Sequence, residues 1–329
     1  MSEKILIEAG RSARGWSRIG NFFKCPQFFA YDSRLEMDLI PADALTRGSM
    51  GHVMQAHQHA IWGAKSPLGV WVDTHWYDNP DTFLSPEDAV QEWCDRNKTG
   101  HEHIARMTDT FRRYLASNPE PPGTVIKVEY PVTAVLGEKD NQWGLWVVAL
   151  EEAGFDRARD EVMAWDGQVI KVTPLNVPGH DDHDKAIVLT RRIDMVTSDR
   201  SNRIYIWDHK HQAMVKLGTS VDGYSIDGGF CAFRIMGKQM YERNFGGIAL
   251  NLIQTQEPWR VARPTVPATP HRDGHFPQML WRAEHALARL DLDTDPWQWP
   301  KAQSETTCVG RYGKCAALKL CSYGPSAAI

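Results

Sequence analysis

Asp208, His209 and Lys210 close the apolar run Ile204-Tyr205-Ile206-Trp207, and Asp194 stands in a second apolar run, Arg191-Arg192-Ile193-Asp194-Met195-Val196. Residues two apart on a β-strand leave the same face, so Asp208 and Lys210 project together while His209 points to the other side. If the two runs are neighbouring strands, Asp194 lies beside Asp208. Two carboxylates at that separation repel unless a cation shares them, and a hard, oxygen-ligated ion such as Mg²⁺ or Mn²⁺ suits the geometry. A lysine ammonium beside such an ion can pair with a phosphate or position a water whose pKa the metal lowers. Charged side chains on strands otherwise built for burial need a partner, because an unpaired buried charge is expensive.

These residues must be positioned by elements that the chain spells out in order. Ser17 to Tyr31 reads as a short helix capped by Ser17 that runs into a Cys25-Pro26 turn. Thr46 to Trp62 has Gly48 and Gly51 followed by apolar and His residues at helical intervals, a helix whose first part packs closely against something. Residues 63–122 read as a mainly helical insertion, with Ser85-Pro86-Glu87 starting a helix and Asn118-Pro119-Glu120-Pro121-Pro122-Gly123 ending the segment. Residues 124–255 then form a sheet core: a strand from Thr124 with Pro131 as an edge or bulge signal, strand pieces near Trp143 and Val169, and a hairpin from Ala186–Thr197 and Arg203–Lys210 around a Ser198-to-Asn202 turn. A helix over Phe230–Arg243, a buried strand over Gly247–Thr255 and an amphipathic helix over Phe276–Leu290 follow. The order is that of an α/β layer, a central mixed sheet flanked by helices.

Bulk properties narrow the function classes. The 329 residues are 42% hydrophobic with mean hydropathy −0.44, and no apolar run approaches the roughly 20 residues that span a bilayer. Residues 1–20 lack the continuous apolar core of a secretory signal, which points to the cytosol. Six cysteines in a reducing compartment are thiols or metal ligands. A net charge of −4 does not announce a nucleic-acid binder, but positive charge can be confined locally, as at Arg11, Arg14 and Arg18 or at Arg191 and Arg192. Solvated charge is the plainer reading of each cluster.

The chain resembles the PD-(D/E)XK nucleases, in their RecB-like branch. Gly48-Ser49-Met50-Gly51-His52 is similar to that branch's helical Gly-x-x-x-His motif, Asp194 to its first strand acid, and Asp208-His209-Lys210 to its acidic-x-Lys triplet. The resemblance implies a single nuclease domain over 1–329 with a restriction-endonuclease-like core, Mg²⁺ or Mn²⁺ held by His52, Asp194, Asp208 and the His209 carbonyl, and Lys210 as the catalytic ammonium. Gln239 and Tyr241 match the branch's downstream Gln…Tyr helix with compressed spacing, and Arg192 replaces the usual glycine before the first acid. Glu129 is either an outer acid of the site or a surface strand residue. His57, His59, His101, His103, His180, His183 and His211 are assigned to surface or outer roles.

Cys25, followed by Pro26, and the set Cys308-x6-Cys315-x5-Cys321 are similar to the iron–sulphur subset of the same branch, in which one cysteine precedes the core and three follow it. That likeness implies a [4Fe-4S] cluster clipping the termini through a cysteine-rich segment at 300–323. Four thiolates satisfy tetrahedral zinc equally well. Cys94 and Cys231 fall outside the set and read as buried apolar residues.

The implied activity is metal-dependent DNA hydrolysis, an exonuclease acting on DNA ends or single strands, similar to bacteriophage nucleases of recombination or replication in a bacterial or phage-infected cytosol. A helicase or recombinase would be a fitting partner. The alternatives are a catalytically silent nucleic-acid-binding or assembly subunit on the same scaffold, and an iron–sulphur regulatory protein. Trp16, Phe22, Phe23, Phe28 and Phe29 are either core packing or part of a surface on which single-stranded bases stack.

Overall fold

The structure, a computed structural model, describes residues 4–7, 14–35, 43–152, 154–215, 217–302, 308–310, 313–315 and 317–323. Two helices, α1 (Trp16–Lys24) and α2 (Pro26–Ser33), precede the long α3 (Asp43–Ala64). Next come the hairpin β1 (Val70–Val72) and β2 (His75–Tyr77), helices α4 (Pro86–Asn97) and α5 (Ile104–Ser117), and strands β3 (Thr124–Lys139), β4 (Gln142–Val147), β5 (Glu161–Met163) and β6 (Val169–Val172). The hairpin β7 (Val188–Ser198) and β8 (Ile204–Gln212) leads through α6 (Leu217–Ile226) and α7 (Gly228–Tyr241) to β9 (Phe245–Gln254), then β10 (Val261–Ala262), β11 (Thr265–Val266) and α8 (Pro270–Asp293). Short β12 (Val309–Gly310), β13 (Gly313–Lys314) and α9 (Leu318–Tyr323) complete the set.

Two compact units share these elements. The first takes Asp43–Val132, Arg191–Asp273 and described residues before Ser12; the second takes the described parts of Ala13–Ala42, Thr133–Thr190 and Gly274–Ile329. The unit boundary falls inside β3, β7 and α8.

The first unit is α/β, a mixed sheet flanked by helices in the strand order β10-β9-β8-β7-β3-β1-β2. β7 and β8 pair antiparallel from Ser198↔Ile204 to Met195↔Trp207, and β8 runs parallel to β9 out to Gln212↔Gln254. The Asp199 carboxylate closes the β7–β8 turn by accepting from Ser201 N and Arg203 N at 2.8 and 3.0 Å. Period-two alternation on β8 sends Trp207 to the face that packs Ala56 and Ala60 of α3, and Ile206 to the face that meets Gly237 of α7. Gly51 lets α3 approach closely: a Cβ there would stand 2.4 Å from the His211 ring of β8, whereas Gly48 has open space.

Several expectations change here. Residues 63–122 are mainly helical, through the end of α3, a short 3-10 turn at Pro80–Thr82, α4 and α5, but they also add β1 to the sheet, parallel to β3 at Trp71↔Lys127 and Val72↔Val128. Apolar Val70 and Val72 alternate with exposed Trp71, a strand signal too short to stand out from the helical segment around it. α4 begins as expected, with Ser85 Oγ accepting from Asp88 N at 3.2 Å and Pro86 at its first position. Ser17 does not cap α1, which starts at Trp16 after Gly15 with no side-chain cap bond. His57 and His59 are fully buried, not on the surface. The neutral imidazole of His57 is a structural bridge, accepting from Ile7 N at 2.8 Å and donating from Nδ1 to Leu84 O at 3.1 Å, and burial pushes its pKa down to about 4.

In the second unit the later part of β3 pairs antiparallel with β4 and β6, and β5 pairs with β6. Phe22 and Phe29 are core residues, Phe29 stacking on Trp299 at 6.1 Å, and Phe23 is half exposed. Cys94 and Cys231, both in the first unit, are buried as expected. Of the segment 300–323, residues 303–307, 311, 312 and 316 lie outside the described residues, as does Arg11. No helix among the described residues is long and apolar enough to cross a membrane.

Overpacking a buried contact costs about 1–3 kcal/mol. Gly51→Ala should lose that much stability in urea denaturation, because the His211 ring is hemmed in; an unchanged midpoint would mean that the ring moves freely aside.

Candidate metal centre

The centre forms where β7 and β8 part. Their ladder ends at Met195↔Trp207, so Asp194 and Asp208, the next residues on each strand, are not paired through the backbone. Asp194 Oδ2 instead accepts the main-chain N–H of His209 at 2.7 Å, taking the place of a ladder partner. His52 of α3 reaches the same oxygen, Nδ1 to Oδ2 3.5 Å. Glu129 of β3 completes the group: one ligand atom from each of His52, Glu129 and Asp194 lies within 4.8 Å of the others.

Glu129 is 3% exposed and adopts φ 49°, the left-handed region that non-glycine residues avoid at a cost of about 1–3 kcal/mol. That kink turns its side chain out of the strand's alternation and toward Asp194. Burial, then the charge of Asp194, raises the Glu129 pKa well above the usual carboxylate range, although Arg192 lies 3.9 Å away. Asp194 is also raised, by burial first and by Asp208, with His52 and Lys210 opposing. Neighbouring buried acids raise one another in this way, and a cation between them would relieve the repulsion. The oxygen-rich donor set with one imidazole fits Mg²⁺ or Mn²⁺.

Asp208 and Lys210 share a face, as their spacing requires, and pair at 2.5 Å between Nζ and Oδ2. Burial works against the Lys210 charge, but Asp208, Asp194 and Tyr224 outweigh it and raise the pKa, so the ammonium persists. The structure therefore groups His52 and Asp194 with Glu129, and holds Asp208 against Lys210. His209 enters through its backbone N–H, while its ring lies 4.8 Å from His59 and 6.3 Å from His52. His211 sits 5.8 Å from His52. Burial lowers His59 and His211 to about 3, and lowers His209 as well, so this imidazole cluster adds no positive charge beside the acids.

Gln239 is half-buried on α7. The Tyr241 ring lies 5.6 Å from Lys127 Nζ, which also sits over Tyr130 at 3.8 Å, and burial raises the Tyr241 pKa. Arg191 was legible only as half of a basic pair; it stacks over Phe233 at 4.1 Å and its charge is felt by Asp208 and Asp194.

The four outer cysteines lie in the second unit, but among the described residues no three of their sulphurs come within 4.8 Å of one another. Cys25 caps α2, its Sγ accepting from Phe28 N at 3.4 Å and Ala302 N at 3.5 Å, and Cys308 Sγ donates to Ala302 O at 3.4 Å. Cys315 N donates to Cys308 O at 2.8 Å. Burial, then the charges of Cys25, Cys308 and Cys321, raises the Cys315 pKa, and burial raises Cys321.

The chain matches no protein-family model, and comparison with curated proteins finds no significant match.

Both acids are raised above their unfolded values, so the destabilisation that this pair contributes to the metal-free protein is relieved as pH falls from neutral toward about 4 and returns as pH rises. In EDTA at neutral pH, Glu129→Gln should melt higher than the parent. Excess Mn²⁺ should raise the melting temperature of the parent and leave the variant nearly unmoved; a parent that ignores Mn²⁺ removes the cation from this site.

Proposed function

We propose that this chain is a metal-dependent deoxyribonuclease, similar to the RecB-like branch of the PD-(D/E)XK superfamily and acting as an exonuclease on DNA ends or single strands. The observation that carries this reading is the convergence of His52, Glu129 and Asp194 within 4.8 Å at the parting of β7 and β8, next to the Asp208–Lys210 pair. A divalent ion bound there would supply a water of lowered pKa and neutralise phosphate charge.

The chain's own groups account for the rest. His52 and Asp194 hold the ion from two elements, Glu129 closes the set from a third, and Asp208 stands ready on β8. Lys210 is kept protonated by its acidic neighbours and offers its ammonium to a phosphate oxygen, stabilising the negative charge that the phosphate oxygens carry in the transition state. The Cys25, Cys308, Cys315 and Cys321 set supports a [4Fe-4S] cluster as a staple of the second unit, since two N–H groups are aimed at Cys25 Sγ in the manner that stabilises a thiolate ligand. Zinc is the competing occupant.

The test is digestion of end-labelled DNA with Mn²⁺ or Mg²⁺ present. Asp194→Asn and Lys210→Met should each lower the rate by about 10²-fold or more with binding retained. Cleavage that survives both substitutions, or that needs no divalent ion, refutes the reading, and binding without cleavage by the parent favours a silent scaffold.

Anaerobically purified protein should carry iron, sulphide and visible absorption, all lost in Cys315→Ser together with part of the thermal stability. Stoichiometric zinc with no visible band would replace the cluster by a single ion.

A further inference from the structure

Four guanidinium groups, those of Arg14, Arg18, Arg34 and Arg157, line one cavity of about 270 Å³ within the second unit, over apolar Leu175 and Leu287. Three of them are fixed by carboxylates. Arg18 pairs with Glu284, Arg34 grips Asp291 through Nε and Nη2 at 2.6 Å each, and Arg157 Nη1 meets Asp182 at 3.1 Å while its Nε and Nη2 donate to Ala186 O. A guanidinium has five N–H donors, so these bonds set the orientation of each fork and leave further donors unused. Arg18 Nε is buried with no partner among the described residues.

Arg14 is different. Its nearest carboxylate oxygen among the described residues is Asp182 Oδ2 at 3.9 Å, and Asp182 already serves Arg157 and, at 3.0 Å, Lys185. Burial, then the nearby Arg157, lowers the Arg14 pKa, which marks a charge that lacks compensation. Among the ionised groups lining the cavity, the four arginines outnumber Asp182, Glu284 and Asp291, so one positive charge remains in excess. Planar guanidinium forks held ready in a half-enclosed space match the geometry of phosphate oxygens.

We propose that this cavity binds a phosphate monoester of about mononucleotide size, with Arg14 pairing with the phosphate. The volume falls just under the roughly 300–1,000 Å³ of pockets for larger ligands, which suits a small phosphate monoester such as a nucleotide or a phosphorylated strand end. The site is independent of the metal centre and of the activity proposed for it.

Calorimetric titration in EDTA keeps the two separate. Deoxyadenosine monophosphate should bind the full chain and deoxyadenosine should not. Arg14→Gln should weaken binding at least about tenfold, the size of a lost charge-assisted hydrogen bond. Arg14→Lys should fall between, and Arg200→Gln on the β7–β8 turn should match the parent; thermal melts check that each variant is folded. Competition by a 5′-phosphorylated oligonucleotide, with none by its 5′-hydroxyl form, supports the site with a strand end as its source. Competition by neither supports it with a free nucleotide. No binding of the monophosphate at millimolar concentration, equal binding by the nucleoside, or unchanged affinity in a folded Arg14→Gln overturns the proposal.

Discussion

Asp194 Oδ2 accepting the His209 N–H is the contact around which the first unit's chemistry is arranged. Had β7 and β8 continued their ladder past Met195↔Trp207, that N–H would face a backbone carbonyl and the two acids would sit in register as a repelling pair. Because the strands part, a carboxylate satisfies the freed donor, and the same oxygen lies 3.5 Å from His52 Nδ1 in the group that Glu129 shares. A buried N–H without a partner would cost about 1–3 kcal/mol, so the hydrogen bond stabilises the parting that creates the site.

The same region concentrates unfavourable terms. Glu129 holds a left-handed backbone, two carboxyls resist ionisation, and both ring nitrogens of His59 and His209 are buried with no hydrogen-bond partner among the described residues. Such terms persist only where surrounding packing overrides them. Here the override comes from α3, seated on β8 through Gly51 and through Ala56 and Ala60 against Trp207, and from α7 on the opposite face.

The second unit poses a related electrostatic problem twice. Four thiols are gathered where burial raises Cys315 and Cys321, and four guanidiniums are gathered around one cavity where burial lowers Arg14. Hydrogen bonds fix both sets in place, and in the second the like charges of the guanidiniums are offset in part by Asp182, Glu284 and Asp291.

The acidic-x-Lys spacing, the alternation that places Asp208 with Lys210 and His209 opposite, the Ser85-Pro86 start of α4, the β7–β8 hairpin and the burial of Cys94 and Cys231 were all determined by sequence alone. Each is local: a period of two, a cap or a turn acts through residues a few positions apart. Glu129 as a member of the donor group, the β1–β2 addition to the sheet, His57 as a bridge from Ile7 to Leu84 and the meeting of Arg14 with Asp182 were decided only by tertiary structure. Their partners lie tens to hundreds of residues apart in the chain, and a carboxylate's spelling is the same on a solvated strand as in a buried kink. What separates the two cases is packing around it, which no short pattern of residues encodes.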